Sequence, residues 1–227
     1  MTINDIEICC SSIQSAMNAK NAGAKRIELC QALSEGGTTP SYAAIKHTTQ
    51  DLGLDVFVLV RPRSGDFHYN QLEIKIMEED VKICKQLGAA GIVVGFLTED
   101  GHIDKKLTKH FVELSSPLPV TFHRAFDECN DPFAAIDDII DCGCKRILTS
   151  GCKPTAVEGI ETLKKLVVKA DGRIAILAGS GITPDNAAEL KSHTGVDEIH
   201  GSCKRTNKNG ACETDPVLVK RLIANLL

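Results

Sequence analysis

Residues 6–30 read IEICCSSIQSAMNAKNAGAKRIELC, and this stretch contains two strand patterns separated by a helical one. The short β-branched runs at 6–11 and 25–30 predict strands, and Gly23 stands where a helix between them should end. Both predicted strands carry the motif Glu-x-Cys, at residues 7–9 and 28–30. Strands that alternate with helices pair in parallel through crossover connections, so the two motifs should lie side by side on neighbouring strands.

The same alternation continues along the whole chain of 227 residues. Helical periodicity is clearest at 71–88 and 155–168. Further strands are predicted at 54–61, 91–96, 119–126, 145–150, 173–179 and 196–201. Eight strands alternating with helices predict an α/β fold in which a single domain, residues 1–227, forms a closed (β/α)8 TIM barrel. An open doubly wound sheet is the alternative, and the lack of a G-x-G-x-x-G motif after the first strand disfavours it.

Composition argues against several classes of partner. The net charge of −4 gives no basic footprint for nucleic acid or a membrane surface, and no apolar run approaches the roughly 18 residues that span a bilayer. The first ten residues, MTINDIEICC, lack a signal-peptide pattern, so we expect a cytoplasmic protein. In that compartment the ten cysteines are expected to be reduced thiols rather than disulfides.

The two Glu-x-Cys motifs are the first candidate site. Side chains two apart on a strand share a face, so Glu7 and Cys9 should point together, as should Glu28 and Cys30. All four are predicted to face the barrel interior, where thiolates are ligands that select Cu(I). Cys9 and Cys30 are therefore candidate copper ligands. The alternative is a pair of packed thiols that fill one layer of the barrel.

The third strand ends in LVRPRSGDF, which places two arginines at the carboxyl end of the barrel. Arg61 has the parity of Leu59 and is predicted to point into the barrel mouth. The planar guanidinium fork suits a carboxylate or a phosphate, so Arg61 and Arg63 are candidate anion ligands. A structural ion pair of Arg61 with Glu28 or Glu7 is the alternative.

The fifth strand ends in VTFHRAFDE, where His123 and Asp127 should alternate with Thr121 and Ala125 on the inward face. A histidine near a carboxylate can act as a general acid or base. With Glu7, Glu28 and Arg61, these two residues form the set of candidate catalytic groups. A histidine satisfied within the core is the alternative for His123.

Glycine-rich turns follow the seventh and eighth strands. In barrels these loops often bind phosphate through backbone N–H groups. The predicted anion-binding positions are Gly179, Ser180, Gly181, Gly201 and Ser202, although a tight turn alone would have the same composition. Together with the candidate catalytic groups they favour, as an alternative to copper binding, an enzyme that acts on a small phosphorylated or carboxylated metabolite.

Several long strings resemble the CutC copper-homeostasis family, and they run in order through residues 6–204. The strings are IEICCSS, RIELCQALSEGGTTPS, VRPRSGDF, GFLTEDGHID, PVTFHRAFDE and RILTSG. The resemblance implies a cytoplasmic TIM barrel that forms a homo-oligomer, a dimer or a tetramer, and binds Cu(I) through cysteines on its first two strands, here Cys9 and Cys30. It also implies a longer segment after strand eight, with a Met-x-Tyr/Phe-Arg-Asn string, where this chain has KRTNKNGACETDPVLVKRLIANLL.

Overall fold

The computed structural model describes residues 1–206, 210 and 212–227 of the chain. Eight parallel strands close into a barrel in chain order, with the first strand paired to the eighth. This confirms the predicted (β/α)8 barrel. The strands are β1 Ile6–Cys10, β2 Arg26–Leu29, β3 Asp55–Leu59, β4 Gly91–Val94, β5 Val120–Phe122, β6 Arg146–Thr149, β7 Ala175–Ala178 and β8 Glu198–Gly201.

Helices follow the strands on the outside of the barrel, and a short hairpin extends from β8. The helices are α1 Ile13–Asn21, α2 Tyr42–Asp51, α3 Gln71–Gln86, α4 Lys105–Ser115, α5 Pro132–Cys142, α6 Ile160–Ala170, α7 Ala187–Thr194 and α8 Pro216–Leu226. Antiparallel strands β9 (Lys204–Thr206) and β10 (Cys212–Thr214) form the hairpin. Part of the segment that the resemblance predicts to be longer falls on 207–209 and 211, which lie outside the described residues.

Two predicted boundaries are wrong. The strand predicted at 119–126 ends at Phe122, because His123 caps a short 3-10 helix over Arg124–Glu128. The helix predicted at 155–168 begins only at Ile160. Before that point the backbone of Gly159 packs so closely on the Ser150 carbonyl that an added Cβ would stand 1.8 Å from it. Close backbone packing of this kind holds the preceding residues in a loop.

The barrel has two very different sides. Outward-facing residues of the strands, such as Ile8, Val58 and Ile147, pack with the helices into one large apolar core. Inside the barrel the apolar cluster is small and contains both predicted copper ligands, Cys9 and Cys30. Most of the remaining inward positions carry polar or charged side chains, which is the usual sign of a functional lumen.

The first two strands are neighbours as predicted, but their register staggers the two Glu-x-Cys motifs by two residues. Cys9 stands beside Glu28, and Glu7 stands beside Arg26. The two Glu-x-Cys motifs are therefore neighbours that face the lumen. None of the helices that the structure describes is both long enough and apolar enough to cross a bilayer.

Candidate metal and anion site in the barrel mouth

A cavity of about 410 Å³ opens at the carboxyl ends of the strands. Its size falls within the range of small-molecule sites. Four predicted site residues lie outside its lining, namely Glu7, Arg63, Asp127 and Gly179. The predicted residues that line it are Cys9, Glu28, Cys30, Arg61, His123, Ser180, Gly181, Gly201 and Ser202.

The two thiols meet at the wall formed by β1 and β2. Cys9 Sγ and Cys30 Sγ are 3.9 Å apart, and a carboxylate oxygen of Glu28 lies within 4.8 Å of both sulfur atoms. All three residues are buried. The hydrogen bond to the Cys30 thiol, together with burial, raises the pKa of Cys9 well above its usual value. The Cys9 thiol is therefore protonated at neutral pH in the metal-free protein.

Glu28 and Glu7 are bridged by His200, a residue that the sequence analysis did not single out. His200 Nδ1 lies 2.9 Å from Glu7 Oε1, and its Nε2 lies 3.6 Å from Glu28 Oε2. Burial opposes the charged form of His200, but the bond to Glu7 and the two carboxylates outweigh it and raise its pKa. Burial raises the pKa of Glu28. The three groups form one buried acid–base chain beneath the thiols.

Glu7 lies below the cavity, in a cluster of charges that closes the bottom of the lumen. Its Oε2 is 2.8 Å from Arg146 Nη1 and 3.1 Å from Arg26 Nε, and Glu198 contacts both arginines. Burial disfavours the carboxylate, but Arg146, His200 and Arg26 outweigh it and hold the pKa of Glu7 well below its usual range. Cations therefore occupy both oxygens of this predicted catalytic residue.

Arg61 enters the cavity as predicted, and it is buried. Its guanidinium donates to the backbone carbonyls of Gly37 at 2.9 Å and Gly65 at 2.7 Å, and more distantly to that of Glu35. Within the described part of the chain no carboxylate lies within ion-pair distance of it. The alternative of an ion pair with Glu28 or Glu7 is therefore wrong.

Arg63 points away from the cavity. Its guanidinium pairs with Glu73 at 2.6 Å and Asp66 at 2.9 Å, and it stacks over the Tyr69 ring. Two carboxylates already satisfy this side chain. The structure thus separates the two arginines of the R-P-R string into one that lines the cavity and one that fastens the loop after β3.

His123 lies in the wall of the cavity as a neutral ring. Gly95 on the neighbouring segment leaves room for it, since a Cβ there would stand 2.4 Å from the imidazole. Its Nδ1 accepts a hydrogen bond from the Ala125 N–H at 3.1 Å, so the proton is on Nε2, which has no partner in the part of the chain that the structure describes. Burial and the charge of Arg61 lower the pKa of His123 to about 3. The ring is a hydrogen-bond donor at physiological pH.

Asp127 does not alternate with His123 on an inward face, because the chain has already entered the 3-10 helix. Its carboxylate accepts hydrogen bonds from the backbone N–H groups of Ser150 and Cys152, each at 3.1 Å, and pairs with Arg124 at 2.7 Å. The contacts fix the loop that follows β6. Asp127 therefore holds the scaffold of the mouth and does not line the cavity.

Residues of the turn after β7 line the cavity and carry backbone donors. Ser180 and Gly181 have φ values of +77° and +71°, and within the described residues the N–H groups of Ser180, Gly181 and Ile182 donate to no acceptor. Gly179 instead packs on Leu148, where an added Cβ would stand 2.6 Å from a methyl group. Lys204, which the sequence analysis did not identify, lines the same cavity from the hairpin after β8.

Comparison with known proteins agrees with this geometry. A family model described as "CutC family" matches residues 4–205. The chain belongs to the CutC family. The human copper homeostasis protein cutC homolog is 47% identical over 205 residues, which cover 90% of this chain and 75% of the human protein. A CutC family protein of Histophilus somni is 50% identical over 200 residues, which cover 88% of this chain and 82% of the relative.

The fold of this CutC family member also matches a solved structure. A crystal structure of CutC from Streptococcus agalactiae superposes with a TM-score of 0.83 at 37% sequence identity, covering 87% of this chain and 97% of that one. The human relative is described as a copper homeostasis protein.

Proposed function

We propose that this CutC family protein takes part in copper homeostasis by binding Cu(I) at Cys9 and Cys30, with Glu28 as a third donor. The observation that carries the proposal is the convergence of two buried thiols and one carboxylate within 4.8 Å in an open cavity. Thiolates are soft ligands, and soft ligands select Cu(I) over harder metal ions.

The spacing of the sulfur atoms fits a bent site. With metal–sulfur bonds of about 2.3 Å, as in zinc thiolates, a sulfur separation of 3.9 Å corresponds to an S–metal–S angle of roughly 115°. A linear site would need a separation of about 4.6 Å at the same bond length. The bent angle leaves a third position, and the Glu28 carboxylate is the nearest group to fill it.

Binding must displace protons. Because the pKa of Cys9 is raised well above its usual value, a metal ion has to compete with the thiol proton. Two thiolates and Glu28 would leave excess negative charge around a monovalent ion. His200, 3.6 Å from Glu28, supplies a cation in its charged form and supports the charged state of that carboxylate.

A reducing compartment suits this chemistry. All ten cysteines are free thiols, and a cytoplasmic location is the one in which free thiols persist. The proposal therefore includes a cytoplasmic protein whose copper site is accessible through the barrel mouth. Cys212, which is exposed and far along the chain from both motifs, offers a matched control for thiol chemistry elsewhere in the protein.

The test is an anaerobic Cu(I) titration against a competing chromogenic chelator. Wild type should bind one Cu(I) tightly, and Cys9→Ser and Cys30→Ser together should weaken that binding by more than about 100-fold. Cys212→Ser should match wild type. Equal stoichiometry and affinity in wild type and the double variant would refute the proposal.

A further inference from the structure

We propose that the same cavity binds a small phosphorylated carboxylic acid, with its carboxylate at Arg61 and His123 and its phosphate at the turn after β7 and Lys204. The site is built from residues other than the thiols and Glu28, so it goes beyond the proposed copper function and does not depend on it.

The first observation is a buried cation without a counter-charge. Arg61 is 4% exposed, and its described partners are neutral backbone carbonyls rather than carboxylates. An unpaired buried charge is costly, and proteins usually offset it with an opposite charge. Across residues 1–206, 210 and 212–227, the Nε atom of Arg61 also finds no hydrogen-bond partner. A ligand carboxylate would supply the missing charge, and the fork geometry of arginine suits it.

The second observation is a donor beside that cation. His123 is 5% exposed, lines the cavity, and carries a proton on Nε2 that no acceptor satisfies. Arg61 and His123 pack on the same ring, with the guanidinium carbon 4.8 Å and the imidazole centre 5.0 Å from the centre of Phe67. Two donors with unsatisfied N–H groups on one wall call for a ligand that brings acceptor oxygens.

The third observation lies on the far side of the barrel. In a ring of eight strands, β3 and β7 stand opposite each other, so the turn 180–182 faces the side that carries Arg61. Its three backbone N–H groups have no acceptor among the described residues, and Lys204 adds a positive charge to the same cavity. Successive free N–H groups beside a cation make a phosphate-binding surface.

The positive groups at the two ends of the cavity determine which class of ligand it fits. Positive groups lie at opposite sides of a cavity of about 410 Å³, which accommodates a small metabolite with an acidic group at each end. The wall at Cys9, Cys30 and Glu28 carries two thiols and a carboxylate. The other cations that line the cavity are already paired, His200 with Glu7 and Glu28 and Arg124 with Asp127. A compound with both a phosphate and a carboxylate therefore matches the arrangement of charges better than a compound with either group alone.

The test compares two probes that differ at one group, on metal-free protein in chelator at constant ionic strength. 3-Phosphoglycerate carries a carboxylate where glycerol 3-phosphate carries a hydroxymethyl group. Calorimetric titration should show that wild type binds 3-phosphoglycerate at least about tenfold more tightly, since a charge-assisted contact to buried Arg61 is gained. Ligand-induced shifts in melting temperature provide a second readout.

Three variants locate the two ends. Arg61→Met should abolish the preference for the carboxylate, and Lys204→Met should weaken both probes by a similar factor, about threefold or more. Arg63→Met, which removes the same charge two residues away and outside the cavity, should keep the wild-type preference. Lys204 is exposed, so its variant remains informative if Arg61→Met does not fold.

Several results would overturn the inference. These are no binding of either probe at about 10 mM, equal affinity of wild type for both, or a preference that survives in Arg61→Met. Binding that none of the variants changes would show an adventitious anion only. The Cys9→Ser/Cys30→Ser variant should still bind 3-phosphoglycerate, and Arg61→Met should still bind Cu(I), so failure of this inference is distinct from failure of the copper proposal.

Discussion

Replacement of His123 by asparagine should make the free energy of unfolding less dependent on pH in mild acid. The imidazole is buried, and burial with the nearby charge of Arg61 lowers its pKa from 6.5 to about 3. In the unfolded chain the same ring titrates near its ordinary value. Between pH 6.5 and 3 the unfolded state therefore binds one more proton than the folded state, and stability falls as pH falls.

The magnitude follows from the two pKa values. Lowering the pH from 7 to 5 should reduce the free energy of unfolding by about 2 kcal/mol through His123 alone. Only the roughly 1.5 pH units below the unfolded pKa of 6.5 contribute, and each is worth about 1.4 kcal/mol. Asparagine does not titrate, yet its side-chain oxygen can accept the Ala125 N–H bond that His123 Nδ1 now accepts. The substitution thus removes the proton and preserves the cap.

Urea unfolding at pH 7 and pH 5 measures the difference. Wild type should lose about 2 kcal/mol more than His123→Asn over this interval. His102→Asn, which removes an imidazole from an exposed loop, should lose as much as wild type. If wild type and His123→Asn show the same pH dependence, the neutral buried histidine described above is refuted.

Three further predictions concern other parts of the barrel. Arg146→Met should lower the free energy of unfolding by about 3–5 kcal/mol, because it removes one of the cations that pair with the buried carboxylate of Glu7. A loss below about 1 kcal/mol in urea unfolding would contradict the buried charge cluster. Asp127→Asn should lower the free energy of unfolding by about 1–3 kcal/mol, because it weakens the hydrogen bonds that fix the loop after β6, while Cu(I) affinity stays at the wild-type value. A parallel loss of copper binding would show that the residue has a role in the mouth. Cu(I) affinity should rise with pH between 6 and 8, because the metal competes with the thiol proton of Cys9. If binding at Cys9 and Cys30 releases two protons, the rise is up to about 100-fold per pH unit. A flat pH profile in competition titrations would exclude thiol deprotonation.

Predicted side-chain directions are right where the strand continues and wrong where it ends. The inward direction of Cys9, Cys30 and Arg61 was predictable, because alternation along a strand is a local property. Asp127 was misplaced, because the same alternation was carried past the point where the strand gives way to a 3-10 helix. That helix begins at the N–H that His123 caps, and no apolar pattern marks the change.

The ion pairs below the cavity could not be predicted from the sequence, for a different reason. His200 meets Glu7 across 193 positions of sequence, and Arg146 meets it across 139. Both residues have inward parity on their strands, yet the sequence analysis singled out neither. Parity gives no distance across the lumen, and so it does not say which cation neutralises which carboxylate.

The amino-acid sequence by itself determined the closed barrel and the position of the two Glu-x-Cys motifs on neighbouring strands. Strand alternation, helix spacing and parallel crossovers are encoded within short windows of chain, and the CutC strings indicated the family. Only the tertiary structure decided that Glu28, rather than Glu7, joins the thiols, and that buried Arg61 has no carboxylate beside it among the residues described. Those outcomes depend on groups that barrel closure brings together from distant strands, and electrostatic pairing is fixed by distance in space rather than by position in the chain.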